Sequence, residues 1–277
     1  MINGWRLLDT GISDGFTNMA MDEAILIAVS RGLVPPTLRF YRWDPPTITL
    51  GYFQDAAQEI DLCAAQRLGV QVVRRLTGGR AVLHNQELTY SITAPADHPD
   101  VRGTVLESYL RLSQGLLSGY RALGAEAELA KGRPGKTGSA ACFDAPSWYE
   151  LTVQGKKIAG NAQTRKLGCV LQHGSLPFYL DIELLLSCLK LKDEAKKDRL
   201  GKALSRQAAG INEILDRPVS YPELVQALAK GWSETLGWQQ YPGSLTTVEL
   251  SWTHSLAESK YKTAEWNLER KTPYTCQ

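Results

Sequence analysis

The 277-residue sequence lacks the features that mark several classes of protein. It has no run of about 18 apolar residues, the length that a membrane-spanning helix needs, and no N-terminal segment with the layout of a secretion signal. Lys and Arg together number 31 and Asp and Glu 29, so the net charge of +2 argues against a nucleic-acid-binding protein. We therefore expect a protein of the cytoplasm that binds neither a membrane nor nucleic acid.

Cysteine and histidine are scarce, with five cysteines and four histidines. An odd number of cysteines without a C-x-x-C pair predicts neither a disulfide framework nor a zinc site, and we predict no bound metal. Cys63 and Cys188 lie in apolar helical patterns and are expected to be buried. Cys169 precedes a predicted strand that is a candidate for a pocket wall, and Cys276 lies in the last residues.

The remaining cysteine, Cys142, lies in a different context. Its segment, KGRPGKTGSAACFDAPS, is interrupted by glycine and proline and predicts a loop. The β-rich stretch WYELTV follows, then a turn at Gly155 and a second extended segment, KKIAGNAQTR, so a hairpin can return Lys157 to the loop. A lysine ammonium stabilises a thiolate and lowers the thiol pKa. The pattern predicts a reactive thiol, although an inert cysteine and a solvated lysine fit it too.

A second informative stretch is VVRRLTGGRAVLHNQELTYSI, residues 72–92. The Gly78-Gly79 turn lets the backbone approach a ligand closely. Arginines flank this turn, and His84 is either a pocket residue or a structural histidine. A plain β-turn with solvated arginines is the alternative interpretation.

Four motifs in order give a resemblance to a known family. RRLTGGRAVLH at 74–84 contains an RRxTGG turn and a following AVxH, GKKIAGNAQTR at 155–165 matches a GxKIxGxAQ-like strand, and QHGSLPF at 172–178 contains an HGS strand. The chain thereby resembles the lipoate and biotin protein ligase superfamily. The ACFDAPSWYEL segment is similar to its branch of octanoyltransferases with a loop cysteine.

The resemblance implies an α+β fold with a mixed central sheet and packed helices, as in biotin protein ligases and class II tRNA synthetases. It spans about residues 1–215, which we predict to form the catalytic domain. Residues 216–277 are predicted to be a helical extension packed on the same domain.

The resemblance also implies a set of site residues. Cys142 corresponds to the acyl-thioester nucleophile and Lys157 to the lysine that lowers its pKa. Backbone amides of Gly78, Gly79 or Gly160 are candidates for stabilising the thioester oxyanion. The substrate-binding positions are Arg75, Gly78, Gly79, His84, Gly160, Ala162, His173 and Gly174.

The implied reaction is a two-step transfer. Octanoyl passes from octanoyl-acyl carrier protein to the cysteine, and then to a lysine of a lipoyl domain in the 2-oxoacid dehydrogenases or the glycine cleavage H protein. Thioester exchange is nearly isoenergetic and transfer to an amine is downhill, so we expect no ATP and no cofactor besides the carrier's phosphopantetheine. We also expect a monomer.

Other functions stay open at this point. An ATP-dependent lipoate-protein ligase shares the lysine and the glycine turn, although Arg80 stands where ligases commonly have a third glycine. An amidotransferase that moves octanoyl between lipoyl proteins would also use a cysteine. AKGRPGKT, residues 130–137, fits a relaxed phosphate-loop pattern, and a binding module without catalysis is the non-enzymatic alternative.

Two predictions concern the surroundings of the site. Aromatic residues are expected to wall an acyl tunnel, with plain core packing as the alternative; they are Phe40, Tyr41, Trp43, Tyr52, Phe53 and Trp148. Basic residues are expected to form a rim that attracts acidic partner proteins; they are Arg74, Arg75, Arg80, Lys131, Arg133, Lys136, Lys156 and Arg165.

Overall fold

The structure, a computed structural model, describes residues 4–131 and 149–271. The strands are β1 Trp5–Ser13, β2 Thr37–Trp43, β3 Thr47–Leu50, β4 Gln71–Arg74, β5 Val82–His84, β6 Glu87–Pro95, β7 Ala127–Lys131, β8 Tyr149–Val153, β9 Lys156–Lys157, β10 Gly160–Lys166, β11 Cys169–Pro177 and β12 Gln240–Pro242. The helices are α1 Gly15–Ser30, α2 Ala56–Glu59, α3 Leu62–Arg67, α4 Val105–Ala122, α5 Ile182–Cys188, α6 Glu194–Gln207, α7 Tyr221–Leu236, α8 Thr247–Leu256 and α9 Ala264–Asn267, with a 3₁₀ turn at Ile211–Glu213 and a π-helical turn at Ala257–Tyr261. None of these helices is long and apolar enough to cross a membrane.

The central element is a six-stranded mixed sheet with the order β10-β11-β6-β2-β1-β12. β1 runs parallel to β2 and β12, whereas the pairs β2–β6, β6–β11 and β11–β10 are antiparallel. Two three-stranded sheets accompany it, β4-β3-β5 and β7-β8-β9. This arrangement confirms the predicted α+β class with a mixed sheet.

Alternating side chains place two hydrophobic cores on opposite faces of the central sheet. On one face, Leu38 and Phe40 of β2 pack with α4 and α7. On the other face, Tyr41 and Trp43 pack with α1 and with residues of the C-terminal segment such as Trp266. The small sheet β4-β3-β5 contributes Val73 to this second core, so the space between the two sheets lies on the α1 side.

Short patterns in the sequence predict several helix ends, namely a Thr or Ser followed three positions later by Glu at a helix start and a glycine at a helix end, and the structure has them. Thr104 and Glu107 form a reciprocal capping box at the start of α4, and Ser220 and Glu223 form another at the start of α7. Gly32, just after α1, has φ +67°, the left-handed conformation expected there. These caps depend on residues within one turn of each other.

The structure corrects two predictions of secondary structure. The sequence AAQEIDLCAAQRL, residues 56–68, predicts a single helix, but the structure breaks it into α2 and α3, because Asp61 caps α3 and Ile60 is extended between them. The expected extended segment after Gly155 is divided between two sheets. Lys156–Lys157 pairs with β8, whereas β10 joins the central sheet.

The proposed boundary at residue 215 stays a prediction. Helix α7, beyond that boundary, packs closely on α4 within the same core, where Gly115 faces the indole of Trp232. The Trp232 Nε1–H donates to the carbonyl of Leu112 at 2.8 Å.

Candidate active site

A cavity lies between the central sheet and the small sheet β4-β3-β5. Its empty volume is about 390 Å³, with the open mouth included. The residues that line it are Met19, Tyr41, Trp43, Thr49, Arg75, Gly79, Val82, His84, Thr89, Gly160, Asn161, Ala162, His173, Gly174 and Ser175. All the predicted substrate-binding residues except Gly78 are among them, and Gly78 is the neighbour of Gly79.

The walls of this cavity are mainly apolar. Met19 of α1, Tyr41 and Trp43 of β2 and Val82 of β5 are all buried and turn toward it. Two of the aromatic residues predicted to wall a tunnel, Tyr41 and Trp43, thus line this cavity, and the acyl chain itself stays a prediction.

The other predicted aromatic residues that the structure describes do not line the cavity. Trp148 lies outside the described residues. Phe40 is buried on the opposite face of the central sheet, because neighbouring residues of a strand face opposite ways. Tyr52 packs beside the second core, and Phe53 is 76% exposed. The prediction was wrong for these three.

Arg75 organises the Gly78-Gly79 turn from inside the protein. Its Nη2 donates to the carbonyls of Gly78 and Arg80, each at 2.7 Å. Gly79 has φ +91°, and a Cβ there would lie 2.9 Å from Arg75 Nη2. At Gly51, opposite the turn, a Cβ would lie 2.0 Å from the carbonyl oxygen of Gly79. Glycine is therefore required on both sides of this contact.

The predicted basic rim must be corrected. Arg74 is fully buried and Arg75 is 3% exposed, so neither contributes charge to the surface. Lys131 and Arg165 are exposed, and Arg80 and Lys156 are half-buried. Arg133 and Lys136 lie outside the described residues.

His173 is a buried neutral histidine with a defined orientation. Burial lowers the pKa of its imidazole. Its Nε2 lies 2.6 Å from the hydroxyl of Thr77, and that hydroxyl already accepts from Arg75 Nε at 3.1 Å. Nδ1 lies 3.4 Å from Asp22 Oδ2, and because the Asp22 carboxylate can only accept, the neutral ring carries its proton on Nδ1, so that Nε2 accepts from the Thr77 hydroxyl.

Asp22 is the carboxylate behind His173. Burial raises the pKa of Asp22, but Arg39 at 2.7 Å and hydrogen bonds from His173 and Ser91 outweigh burial, so the pKa lies below its ordinary value. The Tyr41 hydroxyl also donates to Asp22, at 3.0 Å. Asp22 and Glu23 are adjacent acids in the otherwise mainly apolar helix α1, and this pair is the sequence signal that could have pointed to Asp22.

His84 has a parallel arrangement. Its Nδ1 lies 2.8 Å from Glu87 Oε1, its Nε2 lies 2.9 Å from the hydroxyl of Thr49, and its ring stacks on Trp43 with centroids 4.2 Å apart. Thr49, like Thr77, accepts from the Arg75 guanidinium, at 3.0 Å. Both histidines therefore line the cavity as oriented residues joined to Arg75 through a threonine. The spacing H-x-x-E is the signal that identifies Glu87.

Strands β10 and β11 form the wall opposite the glycine turn. Gly160 is paired with Ser175, and Ala162 with His173. A Cβ at Gly174 would lie 2.0 Å from Asn161 Oδ1, so this glycine makes room for the Asn161 side chain. That side chain accepts a hydrogen bond from the Tyr90 hydroxyl at 2.9 Å.

Lys157 is buried rather than solvated, and its Nζ donates to Glu150 Oε1 at 3.0 Å. It lies outside the lining of the described cavity. Cys142 lies outside the described residues, so its distance from Lys157 stays a prediction. The described residues on either side, Lys131 and Tyr149, are paired across β7 and β8, in the same sheet as Lys157.

The other cysteines differ in environment. Cys188 is buried as predicted, whereas Cys63 is exposed, because α3 turns it away from the core. Cys169 is buried in the second core rather than in the cavity wall, and burial raises the pKa of the Cys169 and Cys188 thiols. Cys276 lies outside the described residues.

Comparisons with known proteins agree with this geometry. The family of the lipoyl protein ligase A/B catalytic domain matches residues 14–233. Octanoyltransferase LipM of Brevibacillus brevis is 47% identical over 273 residues, 96% of this chain and 99% of that protein. Octanoyltransferase LipM of Moorella thermoacetica is 49% identical over 265 residues, 95% and 97% of the two chains. The chain therefore belongs to the lipoyl protein ligase A/B family, in the branch of the octanoyltransferases, and is an acyltransferase.

Solved structures show the same fold. A bipartite lipoate protein ligase from the archaeal lipoylation system of Thermoplasma acidophilum superposes with a TM-score of 0.80, at 29% identity and 99% coverage of both chains. A lipoate-protein ligase A bound with ATP superposes with a TM-score of 0.77, also at 29% identity, covering 97% of this chain and 99% of that one.

Proposed function

We propose that this protein transfers octanoyl from octanoyl-acyl carrier protein to a lysine of lipoyl domains, through a thioester on Cys142. The observation that carries the proposal is the apolar cavity. It is assembled from the motif residues that the octanoyltransferase resemblance indicated, in a chain nearly half identical to octanoyltransferases. The accepting proteins are the 2-oxoacid dehydrogenases and the glycine cleavage H protein, and the reaction takes place in the cytoplasm.

The cavity is suited to an alkyl chain. Met19, Tyr41, Trp43 and Val82 offer apolar surface, and each buried CH₂ contributes about 0.8 kcal/mol. The polar residues of the lining, such as His84 and Thr49, are already hydrogen-bonded to one another and to Arg75. An alkyl chain can therefore occupy the cavity without leaving these groups unpaired.

The chemistry requires a thiolate, and Cys142 is our candidate. The thiols of Cys169 and Cys188 are buried with raised pKa values, which disfavours the nucleophilic form. The Cys142 thiolate attacks the carbonyl carbon of the octanoyl thioester, a new S–C bond forms, and the carrier's phosphopantetheine thiolate leaves and takes up a proton. A lysine amine then attacks the acyl-enzyme carbonyl, an amide bond forms, the S–C bond breaks, and the amine proton is released.

Lys157 is proposed to stabilise the thiolate. The segment with Cys142 begins and ends at the paired residues Lys131 and Tyr149, and Lys157 pairs with Thr152 one strand away from them. Glu150 holds the ammonium of Lys157 and partly offsets its charge. Backbone amides of Gly78, Gly79 or Gly160 are proposed to stabilise the negative oxygen that develops at the carbonyl.

The alternative is a lipoate-protein ligase, which the two structural relatives favour because both are ligases and one is bound with ATP. We propose that the present protein uses no ATP, because the donor is already a thioester. We further propose that it acts as a monomer.

Intact mass spectrometry tests the proposal. We expect the protein to gain one octanoyl group from octanoyl-acyl carrier protein without ATP, and to lose it with hydroxylamine. Cys142→Ser should gain none, whereas Cys63→Ser, which removes an exposed cysteine in α3, should behave as the wild type. Acylation of Cys142→Ser at the wild-type rate would disprove the thioester route. A lipoyl domain modified by free octanoate only with ATP would identify a ligase.

A further inference from the structure

Arg74, the neighbour of the arginine that holds the glycine turn, has an unusual set of partners. It is fully buried. Its guanidinium donates hydrogen bonds to backbone carbonyl oxygens. Nε donates to the carbonyls of Trp266 and Asn267 at 3.1 Å each, and Nη2 donates to Asn267 at 2.8 Å. Nη1 donates to the carbonyls of Gly51, Tyr52 and Gln54 at 2.8 to 2.9 Å.

The main chain of Arg74 is held by the same C-terminal residues. Its N–H donates to Asn267 Oδ1 at 2.8 Å, and its carbonyl accepts from Trp266 Nε1 at 2.9 Å. The contact joins positions about 192 apart in sequence. Trp266 and Asn267 also lie beyond residue 233, where the match to the catalytic domain family ends.

The C-terminal segment that makes these contacts, residues 257–271, is itself anchored. Lys260 Nζ donates to both carboxylate oxygens of Glu23 at 2.8 Å, and the Tyr261 hydroxyl donates to Glu23 at 2.6 Å. The Lys260 ammonium lies 4.0 Å from the centre of the Trp266 ring. Asn267 Nδ2 donates to the carbonyl of Tyr261 at 2.6 Å. Residues 257–271 therefore form a fixed clamp attached to α1.

The clamp is in a position to control the glycine turn. Arg74 links it to Gly51, whose backbone contacts Gly79, and the next residue, Arg75, binds the carbonyls on both sides of Gly79. Arg74 is therefore held by the clamp on one side and by Gly51 on the other. Any shift of its main chain is passed to Arg75 and so to the turn.

We propose that Trp266 and Asn267 are positioning residues for octanoyl transfer, which act through Arg74 to fix the Gly78-Gly79 turn. The proposal rests on the function proposed above, because it assumes that this turn contacts the acyl thioester. Displacement of a site by about 1 Å costs up to about 100-fold in rate. The clamp would thus affect the rate of a reaction whose substrate it does not touch.

The test compares Trp266→Phe, which keeps an aromatic ring and removes the Nε1–H, with Ser259→Ala in the same segment. The Ser259 hydroxyl donates to the carbonyl of Ser255 and has no contact with Arg74 in the described structure. For Trp266→Phe we expect kcat for octanoyl transfer to fall about tenfold, with KM for the donor within about twofold and the melting temperature lower by about 2–4 °C. Ser259→Ala should match the wild type.

Two further measurements separate positioning from a loss of stability. Combined with Arg75→Lys, Trp266→Phe should add little further loss of kcat, whereas the losses of melting temperature should add. Hydrogen exchange of the backbone amides of residues 76–80 should be faster in Trp266→Phe and unchanged in Ser259→Ala. If Trp266→Phe does not fold, Asn267→Ala, which removes the acceptor of the Arg74 N–H, takes its place.

The outcomes are distinct. Unchanged kcat and unchanged exchange at residues 76–80 would overturn the proposal, as would additive losses of kcat. A wild-type protein without octanoyl transfer would overturn the proposed function instead. In that event exchange at residues 76–80, which needs no activity, decides whether the clamp positions the turn.

Discussion

The imidazole Nε2 of His173 and the hydroxyl of Thr77 share a 2.6 Å hydrogen bond, although 96 positions separate the two residues. This contact joins strand β11 to the segment that forms the glycine turn. Through Arg75 it is continuous with Thr49 and His84 on the other side of the cavity. One polar network thus connects two sides of the cavity, and each of its members orients the next.

Thr77→Val tests this network, because valine has nearly the shape of threonine without its hydroxyl. The change leaves His173 Nε2 without its proton donor, and we expect a loss of about 1–3 kcal/mol in the free energy of unfolding. Octanoyl transfer should fall about tenfold or more, since the turn loses its link to β11. Thr253→Val is the matched control, because the buried Thr253 hydroxyl has no hydrogen-bond partner in the described structure. If Thr253→Val lost as much stability as Thr77→Val, this would contradict the interpretation that the hydrogen bond of Thr77 stabilises the protein.

The stability of the protein should fall on acidification. The pKa of His173 is lowered by burial, so the unfolded state takes up a proton below about pH 6.5 that the folded state refuses. The pKa of Asp22 also lies below its ordinary value, so its contribution is lost only at still lower pH, below about 4. Each such group adds a slope of up to about 1.4 kcal/mol per pH unit.

Urea unfolding at pH 7 and at pH 5 measures this dependence. In His173→Asn we expect a smaller difference between the two values of the unfolding free energy. A residual slope should remain, because burial also lowers the pKa of His98. An unchanged pH dependence in His173→Asn would mean that this histidine is not held neutral.

Gly51→Ala tests the close approach of the glycine turn. The added Cβ would lie 2.0 Å from the carbonyl oxygen of Gly79, so the turn must move, and we expect a loss of stability of about 1–3 kcal/mol. The rate of octanoylation, measured by intact mass spectrometry, should fall about tenfold or more. In Gly201→Ala, on α6, the new Cβ meets only the end of the Leu186 side chain, at 3.0 Å. That control should keep full activity, and equal losses in both variants would point to a general effect on folding.

The charges near Lys157 should control the reactivity of Cys142. Lys157→Ala removes a cation and should slow alkylation of this thiol by iodoacetamide at pH 7, whereas Glu150→Gln removes the carboxylate that holds the lysine and should speed it. Peptide mapping measures both rates, with the exposed Cys63 as internal control. If both variants alkylate Cys142 at the wild-type rate, Lys157 does not lower its pKa.

The sequence predicts those features that neighbouring residues determine. The capping boxes at Thr104 and Ser220 and the left-handed Gly32 each depend on a few adjacent residues, and the structure has them as predicted. Part of the lining of the cavity, namely Arg75, Ala162, the glycines and the two histidines, was predicted because these residues occur in four motifs of a recognised family. His84 and His173 entered the prediction in this way, without any indication of what they contact.

Features that depend on distant contacts were missed. Arg74 and Arg75 occur side by side in a polar turn, and nothing near them shows that one binds the C-terminal segment and the other the inside of the turn. The partnership of Asp22 with His173 depends on how α1 lies on the central sheet. Phe40 was misplaced because alternation along a strand does not say which face meets the cavity.

The central claim is that octanoyl resides on Cys142 between donor and acceptor. The most direct measurement isolates the octanoylated enzyme free of donor, mixes it with a lipoyl domain in the absence of ATP, and follows the masses of both proteins in time. We predict that the enzyme loses one octanoyl group as the lipoyl domain gains one, at a rate at least equal to overall turnover. An octanoylated enzyme that stays unchanged, or that acylates the lipoyl domain only when ATP is added, would contradict the account.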